Sequence, residues 1–408
     1  MRTSSLRVLV ASTTSRRVAG IETYIEDLLD ELNRRGTATA LLAASEDPAE
    51  RPPIARPALT PLFREMEECR RWHPDVVLAN GRIPADWENA LCGAYPSAYF
   101  IHNFYGVCIS GLKRFQHPQP EPCFRRLGPA CLGLYLPRAC GGRNPLTMIR
   151  LYHQEQAQQQ RLRGYRRLIT HSEHMREEYI RHDFDAERIH VIPFACFPDS
   201  RLQHREVPSI DTVNWKQGPV RLLFAGRLET IKGGAELIGA AGAWARQESR
   251  PVELTLAGEG EMRPSWEGLA QSLMAENPNF QVHFSGWLDA ESLDRAFAEH
   301  HLFVMPSLWP EPFGKGGMEA ARWACPSVGF RLGGIPQWLH DGVNGHLADW
   351  LPDPTASLQI ALGKALNDPA HWLALRQGAL QRSREFTASA HCDALLPILE
   401  AMSGKAKE

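Results

Sequence analysis

No apolar run in this 408-residue chain reaches the roughly 18–20 residues that a membrane-crossing helix needs, so a helical bilayer span is excluded. Charge of one sign is scarce too. Lys and Arg number 45 against 47 Asp and Glu, and a net charge of −2 excludes a bulk polycation built to coat nucleic acid. Nine cysteines are too few for a secreted disulfide scaffold. Low-complexity tracts and short-period repeats are missing, and 43% apolar with 23% charged residues excludes global disorder. Arg2 ahead of Leu6 and its neighbours imitates a signal peptide, but Arg7 interrupts the short apolar stretch. We read a first β-strand and a cytoplasmic protein.

What is present is length enough for two domains and a repeating alternation of short apolar runs with longer amphipathic stretches. That alternation predicts βα units around parallel sheets. In the first half, strands are expected at 7–11, 38–43, 76–79, 98–101, 167–170 and 190–192. A helix is expected over 21–34, with Ile21, Tyr24, Ile25, Leu28, Leu29 and Leu32 at helical spacing. The second half restarts at 220–225, 252–257, 282–284, 302–305, 326–330 and 345–347. We place an N-terminal domain at 1–198, a polar linker at 199–219 and a second domain at 220–385. A terminal segment, 386–408, is expected as an amphipathic helix crossing back to the first domain. Two doubly wound domains imply an interdomain cleft as the ligand site.

Chemistry concentrates in two loops of the second half. Residues 306–321 read Pro-Ser-Leu-Trp-Pro-Glu311-Pro-Phe313-Gly314-Lys315-Gly-Gly-Met-Glu319-Ala-Ala. Glycines before a helix let backbone N–H groups approach a phosphate, and the helix start favours its charge. Glu311 and Glu319 repel phosphate but accept from sugar hydroxyls, so the pattern reads as a phosphate flanked by two sugar rings. The plainer reading is a surface loop with Glu319 near a helix start. The run 222–225 leads into Gly226-Arg227, then Lys232-Gly233-Gly234. Its two cations leave the carboxyl end of a parallel strand, where a diphosphate would need them.

Together, Gly226-Arg227, Lys232-Gly233 and Glu311 with Glu319 seven residues beyond resemble the family 4 retaining glycosyltransferases of the GT-B fold. The resemblance covers nearly the whole chain. It is close over 220–343, through Gly258-Glu-Gly260, Gly286 and Gly333-Gly334-Ile335-Pro336, and looser over Ala19-Gly20 and His171-Ser172. It implies an α/β protein of two Rossmann-like domains, the first binding the acceptor and the second the donor. The implied activity is metal-independent transfer from a nucleotide-diphosphate sugar to a saccharide or lipid-linked acceptor, in cell-surface polysaccharide or glycoconjugate synthesis. Arg227 and Lys232 would neutralise the diphosphate, and Glu319 would accept ribose hydroxyls. Glu311 would contact the transferred sugar with the amides after Phe313, at Gly314 and Lys315. The turn at Gly286 and Trp287 would hold the base, Gly20 would approach the diphosphate or acceptor, and His102 would line the reaction centre. Departures are single Gly20 where two glycines are frequent, Asn103 in place of an aspartate after His102, the run 194–197, and Cys325 for a frequent glycine. Two rival classes are a sugar-nucleotide epimerase of the same fold and a non-catalytic sugar-nucleotide binding subunit.

Other signals are weaker. Asp183-Phe-Asp185 imitates a metal-binding pair but reads as a solvated loop. Cys108, Cys123, Cys131 and Cys140 crowd a Gly/Pro-rich segment, 107–145, without any Cys-x-x-Cys pair. Reduced thiols, a structural zinc and disulfides all stay open there, and no cofactor is required otherwise. From 108 to 182 basic residues outnumber acidic ones, which suits either a solvated face or peripheral contact with an anionic membrane, as on the inner face of the plasma membrane. No nucleic-acid motif accompanies it.

Overall fold

The computed structural model describes residues 6–16, 20–45, 53–202 and 218–405. Most of the expected linker (203–217) and Ala19 lie outside the described residues. Packing divides the chain into one unit made of Met1–Asp199 with Phe386–Glu408 and another made of Ser200–Glu385.

Among the described residues the first unit has nine strands, β1 (Arg7–Thr14), β2 (Ala38–Ser45), β3 (Leu62–Phe63), β4 (Val76–Asn80), β5 (Ser97–Phe100), β6 (Arg114–Phe115), β7 (Glu121–Pro122), β8 (Arg167–Thr170) and β9 (Ile189–Val191). Seven form a parallel sheet in the order β3-β2-β1-β4-β5-β8-β9, and β6 with β7 makes a separate antiparallel hairpin. Val8–Ala11 and Val76–Ala79 are wholly buried, as central strands covered on both faces must be. β1 runs three residues past its expected end because β2 pairs with it as far as Thr14 and Ser45. The helix Gly20–Arg34 buries Tyr24, Ile25, Leu28, Leu29 and Leu32 on one stripe.

The helix Ala388–Ser403 belongs to this unit and packs on Gly20–Arg34. Its Thr387 caps the start through the Ala390 N–H at 3.1 Å. Cys392, Leu395 and Leu399 are fully buried. His391 Nδ1 donates to the Pro193 carbonyl at 2.7 Å, which leaves Nε2 to accept from the Tyr24 hydroxyl at 2.8 Å.

The second unit contains β10 (Val220–Ala225), β11 (Val252–Ala257), β12 (Phe280–Gly286), β13 (Leu302–Met305), β14 (Ser327–Phe330) and β15 (Gly345–Ala348). All pair in parallel in the order β12-β11-β10-β13-β14-β15, the doubly wound order 3-2-1-4-5-6. Alternation along β10 serves both faces. Val220, Leu222 and Phe224 enter one core, while Leu223 faces the other with Phe303 and Phe297.

Candidate active site

In the second unit β10 and β13 are sheet neighbours whose connections leave in opposite directions, and this switch point opens a crevice at their carboxyl ends. The loop after β10 tightens into a single turn, Thr230–Lys232, closed by Gly233 at φ 69°. A side chain at Gly233 would put Cβ 1.8 Å from the Pro306 carbonyl oxygen, so only glycine lets this loop lie against the one after β13. The Leu308 N–H donates to the Ile231 carbonyl at 2.9 Å and ties the two loops together.

Those loops bring together two of the expected residues, 79 positions apart in sequence. Lys232 Nζ donates to Glu311 Oε1 at 2.7 Å, and the Ser307 hydroxyl donates to the same oxygen at 2.8 Å. Lys232 also stands 5.4 Å above the Trp309 ring. With side-chain exposures of 20% and 10%, Lys232 and Glu311 form a half-desolvated pair whose attraction is stronger than that of a surface pair.

Glu319 occupies a neighbouring pocket of about 170 Å³, lined by Gly226 and Gly258 at the ends of β10 and β11 and by exposed Trp287. Lys315 reaches Glu319 at 3.2 Å. Glu311 thus faces Lys232, while Glu319 lines this pocket beside Lys315. Arg227 is not brought to Lys232; it pairs with Glu229 and stays mostly exposed. The glycines before Glu319 also answer to packing more than to ligand approach. Gly317 lies so close to Trp338 that a Cβ would come 2.0 Å from the ring, and the helix it begins, Gly316–Ala321, has six residues. Trp338 Nε1 in turn donates to the Phe313 carbonyl at 2.7 Å, holding buried Phe313 and Gly314 in place. A larger concavity, about 670 Å³, is formed by helical residues around His346 and His371 and shares no residue with this site.

In the first unit His102 follows β5, and Asn80 ends β4 beside it. Asn80 Nδ2 donates to the Leu78 carbonyl at 3.4 Å, which turns Oδ1 toward His102 Nε2 at 2.9 Å. An amide oxygen can only accept, so the imidazole carries its proton on Nε2. Asn80 thus orients the ring where the missing aspartate at 103 does not, and Asn103 instead accepts from the Phe104 N–H at 2.8 Å. Sequence reasoning missed Asn80, although a lone amide ending the apolar run Val76–Ala79 was a readable signal. His102 packs against Phe100 (4.6 Å between ring centres), Tyr24 (5.1 Å) and Phe194 (6.3 Å). Burial, then the charges of His171 and His391, hold it well below its ordinary pKa. Gly20 is exposed at the start of its helix, with nothing near its Cβ position.

Burial also lowers His171 to about 3 and His391 to about 4. Both folded values lie under the ordinary 6.5, so below that pH the unfolded chain binds protons that the folded unit refuses. Stability should therefore fall as the pH drops, by about 2 kcal/mol for each such histidine at pH 5. Urea titrations at pH 7 and 5 check this, with His391→Gln expected to flatten the dependence; equal slopes for variant and parent would contradict it.

The weaker signals resolve differently. Asp183 pairs with Arg126 at 2.7 Å, and Asp185 caps a short turn through the Glu187 N–H at 3.0 Å. Within the basic stretch 108–182, Lys113 and Arg181 pair with Glu178 and Arg138 with Glu121, while Arg161 reaches Glu88 outside it. Among the described residues no helix is long and apolar enough to cross a membrane.

Two family models match the chain, "Glycosyltransferase Family 4" over residues 18–195 and "Glycosyl transferases group 1" over 219–368. Among curated relatives, a glycogen synthase of Mycobacterium tuberculosis is 31% identical over 180 residues, covering 42% of each chain. A D-inositol 3-phosphate glycosyltransferase of Pseudarthrobacter chlorophenolicus is 31% identical over 200 residues, covering 46% of each. The matched part thus spans less than half the length of these relatives. Likeness in three dimensions is wider. Anabaena HepE, solved with UDP and glucose, superposes with a TM-score of 0.61 at 17% identity over 97% of this chain and 100% of its own. A glycosyltransferase of Rickettsia africae gives 0.65 at 12% identity, over 98% and 99%. The α/β architecture is that of the GT-B glycosyltransferases.

Proposed function

The chain belongs to the family 4 glycosyltransferases of group 1, and from that membership we propose that it moves a sugar from a nucleotide-diphosphate donor to a saccharide or lipid-linked acceptor with retention. The observation that carries this reading is the Lys232–Glu311 pair at the β10/β13 switch point, beside the Glu319 pocket. In the proposal Lys232, with Arg227 swung from Glu229, takes the diphosphate, and Glu319 takes the ribose hydroxyls. Trp287 and Gly286 flank the base, while Glu311 and the amides of Gly314 and Lys315 meet the sugar. Held charge and fixed geometry would supply the rate, with no protein nucleophile and no metal called for. His102 and Gly20 serve the acceptor side in the first unit, as in cell-surface polysaccharide or glycoconjugate synthesis.

Peripheral work at an anionic membrane is part of the proposal. Leu146 and Ile149 are exposed on the helix Pro145–Leu162, flanked by exposed Arg143 and Arg150. One experiment tests the whole reading. The protein is incubated with a panel of nucleotide sugars, UDP-glucose first, with anionic or neutral vesicles present. Slow release of nucleoside diphosphate from one donor, and an α-anomeric product from an α-donor, are expected. Isomerised donor would make it an epimerase, and binding without turnover a non-catalytic subunit. Equal partition onto both vesicle types would remove the membrane.

A further inference from the structure

Between His102 and the helix Pro145–Leu162 the chain makes an excursion with little regular structure. Its elements are the two-residue strands β6 and β7 and the helix Ala130–Tyr135. The apolar cluster beneath it is small, with Ile109, Phe115, Tyr135, Cys140, Met148 and Tyr152 as its buried members. Segments this poor in core are ordinarily held by a cross-link or a metal.

All four cysteines of the excursion line one cavity. The hairpin accounts for two of them. Arg114 pairs with Pro122, the Cys123 N–H donates to the Lys113 carbonyl at 2.7 Å, and Cys123 returns beside the Cys108 turn. Cys131 comes from the helix, and the following turn, closed by the Cys140 N–H on the Tyr135 carbonyl at 3.0 Å, brings Cys140 back. The other three thiols each act electrostatically on Cys140, as expected of sulfurs sharing one neighbourhood.

We propose that Cys108, Cys123, Cys131 and Cys140 form a structural zinc site that pins this excursion beside His102. Three features carry the assignment. First, backbone donors already point at sulfur. The Lys113 N–H lies 3.3 Å from Cys108 Sγ, and the Arg125 N–H bonds to Cys123, as outer-shell amides do for metal-bound thiolates. Second, a zinc with four thiolates carries two net negative charges, and the guanidinium residues Arg114 and Arg125 line the same cavity. Third, the thiols hold nothing costly to give up. As donors, Cys108, Cys131 and Cys140 reach only Ser110 Oγ at 3.5 Å and the carbonyls of Arg126 at 3.6 Å and Leu134 at 3.8 Å. Among the described residues no three His, Cys, Asp or Glu side chains already converge on a coordination point. Loading therefore requires the thiols to draw together within the cavity, each losing its proton to solvent as a Zn–S bond forms.

The zinc would fix the loop that follows His102, which Glu155 already grips through the Gly106 N–H at 2.7 Å. The test uses full-length protein from zinc-supplemented culture, purified without chelator. About one zinc per chain is expected by elemental analysis. Exchange with cobalt(II) should give the visible bands of a tetrahedral, all-thiolate ion. Cys123→Ser and Cys140→Ser should lose the metal, and Cys92→Ser, outside the cavity, should keep it. Parent protein with fewer than about 0.2 metal ions per chain would overturn the site. So would a cobalt spectrum unchanged by these substitutions, or alkylation showing the four cysteines joined as disulfides.

Discussion

Replacing Lys232 with alanine is expected to cut turnover by about 10²–10³-fold, on the order of 3 kcal/mol of transition-state stabilisation, while the second unit stays folded. The charge lost is held in place by Glu311, by the Trp309 face and by the turn that Gly233 closes. Folding should survive because the substitution removes only an ammonium at the rim of the core. Glu311 still accepts from Ser307, so its carboxylate is not orphaned. Glu311→Gln provides the complementary measurement. It keeps an oxygen for Ser307 but gives up the charge facing the transferred sugar, so turnover should fall while affinity for the nucleoside diphosphate is kept. Lys232→Ala should weaken that affinity as well. Donor-consumption rates, diphosphate titrations and melting curves read the three effects separately. Near-parental rates from both variants would sink the assignment of this loop pair.

Why the pair was legible, and other parts were not, follows from where information sits along the chain. Strand β13 reads as the unbroken apolar run Leu302–Met305, while β10 and β11 set buried apolar residues around Arg221, Glu253 and Thr255. β3, β6 and β7 have two residues each and carry no period to detect. Lys232, Glu311 and Glu319 lie in or just after stretches whose glycines and prolines mark them out locally. Gly317 looked like a ligand-facing glycine because the partner that needs it, Trp338, lies 21 residues away. The same holds for Arg161 and Arg126 of the basic stretch 108–182, whose partners Glu88 and Asp183 come from outside the segment. Asn80 was overlooked for this reason too, since only the pairing of β4 with β5 makes it a neighbour of His102.

That neighbour supplies the second large effect. His102→Ala should lower turnover on the order of 10²-fold, the usual range for a positioned proton-handling group. The argument runs through Asn80. Its amide oxygen accepts a hydrogen bond from the Nε2–H, so the neutral ring presents Nδ1 as its accepting nitrogen, able to take a hydrogen bond from an acceptor hydroxyl. Burial among Tyr24, Phe100, Phe194, His171 and His391 keeps the ring neutral well into the acid range. The acid limb of the pH–rate profile should therefore lie below the ordinary titration of histidine. Asn80→Asp tests the sign. A carboxylate 2.9 Å from Nε2 would favour the imidazolium, raise its pKa and move the acid limb toward neutrality, so activity should be lost first at pH 6 and least at pH 8. Asn80→Ala should lower turnover without that displacement, because it frees the ring but adds no charge. A merely structural role for Asn80 predicts the same profile in both variants, and an unmoved acid limb in Asn80→Asp would remove His102 from the chemistry.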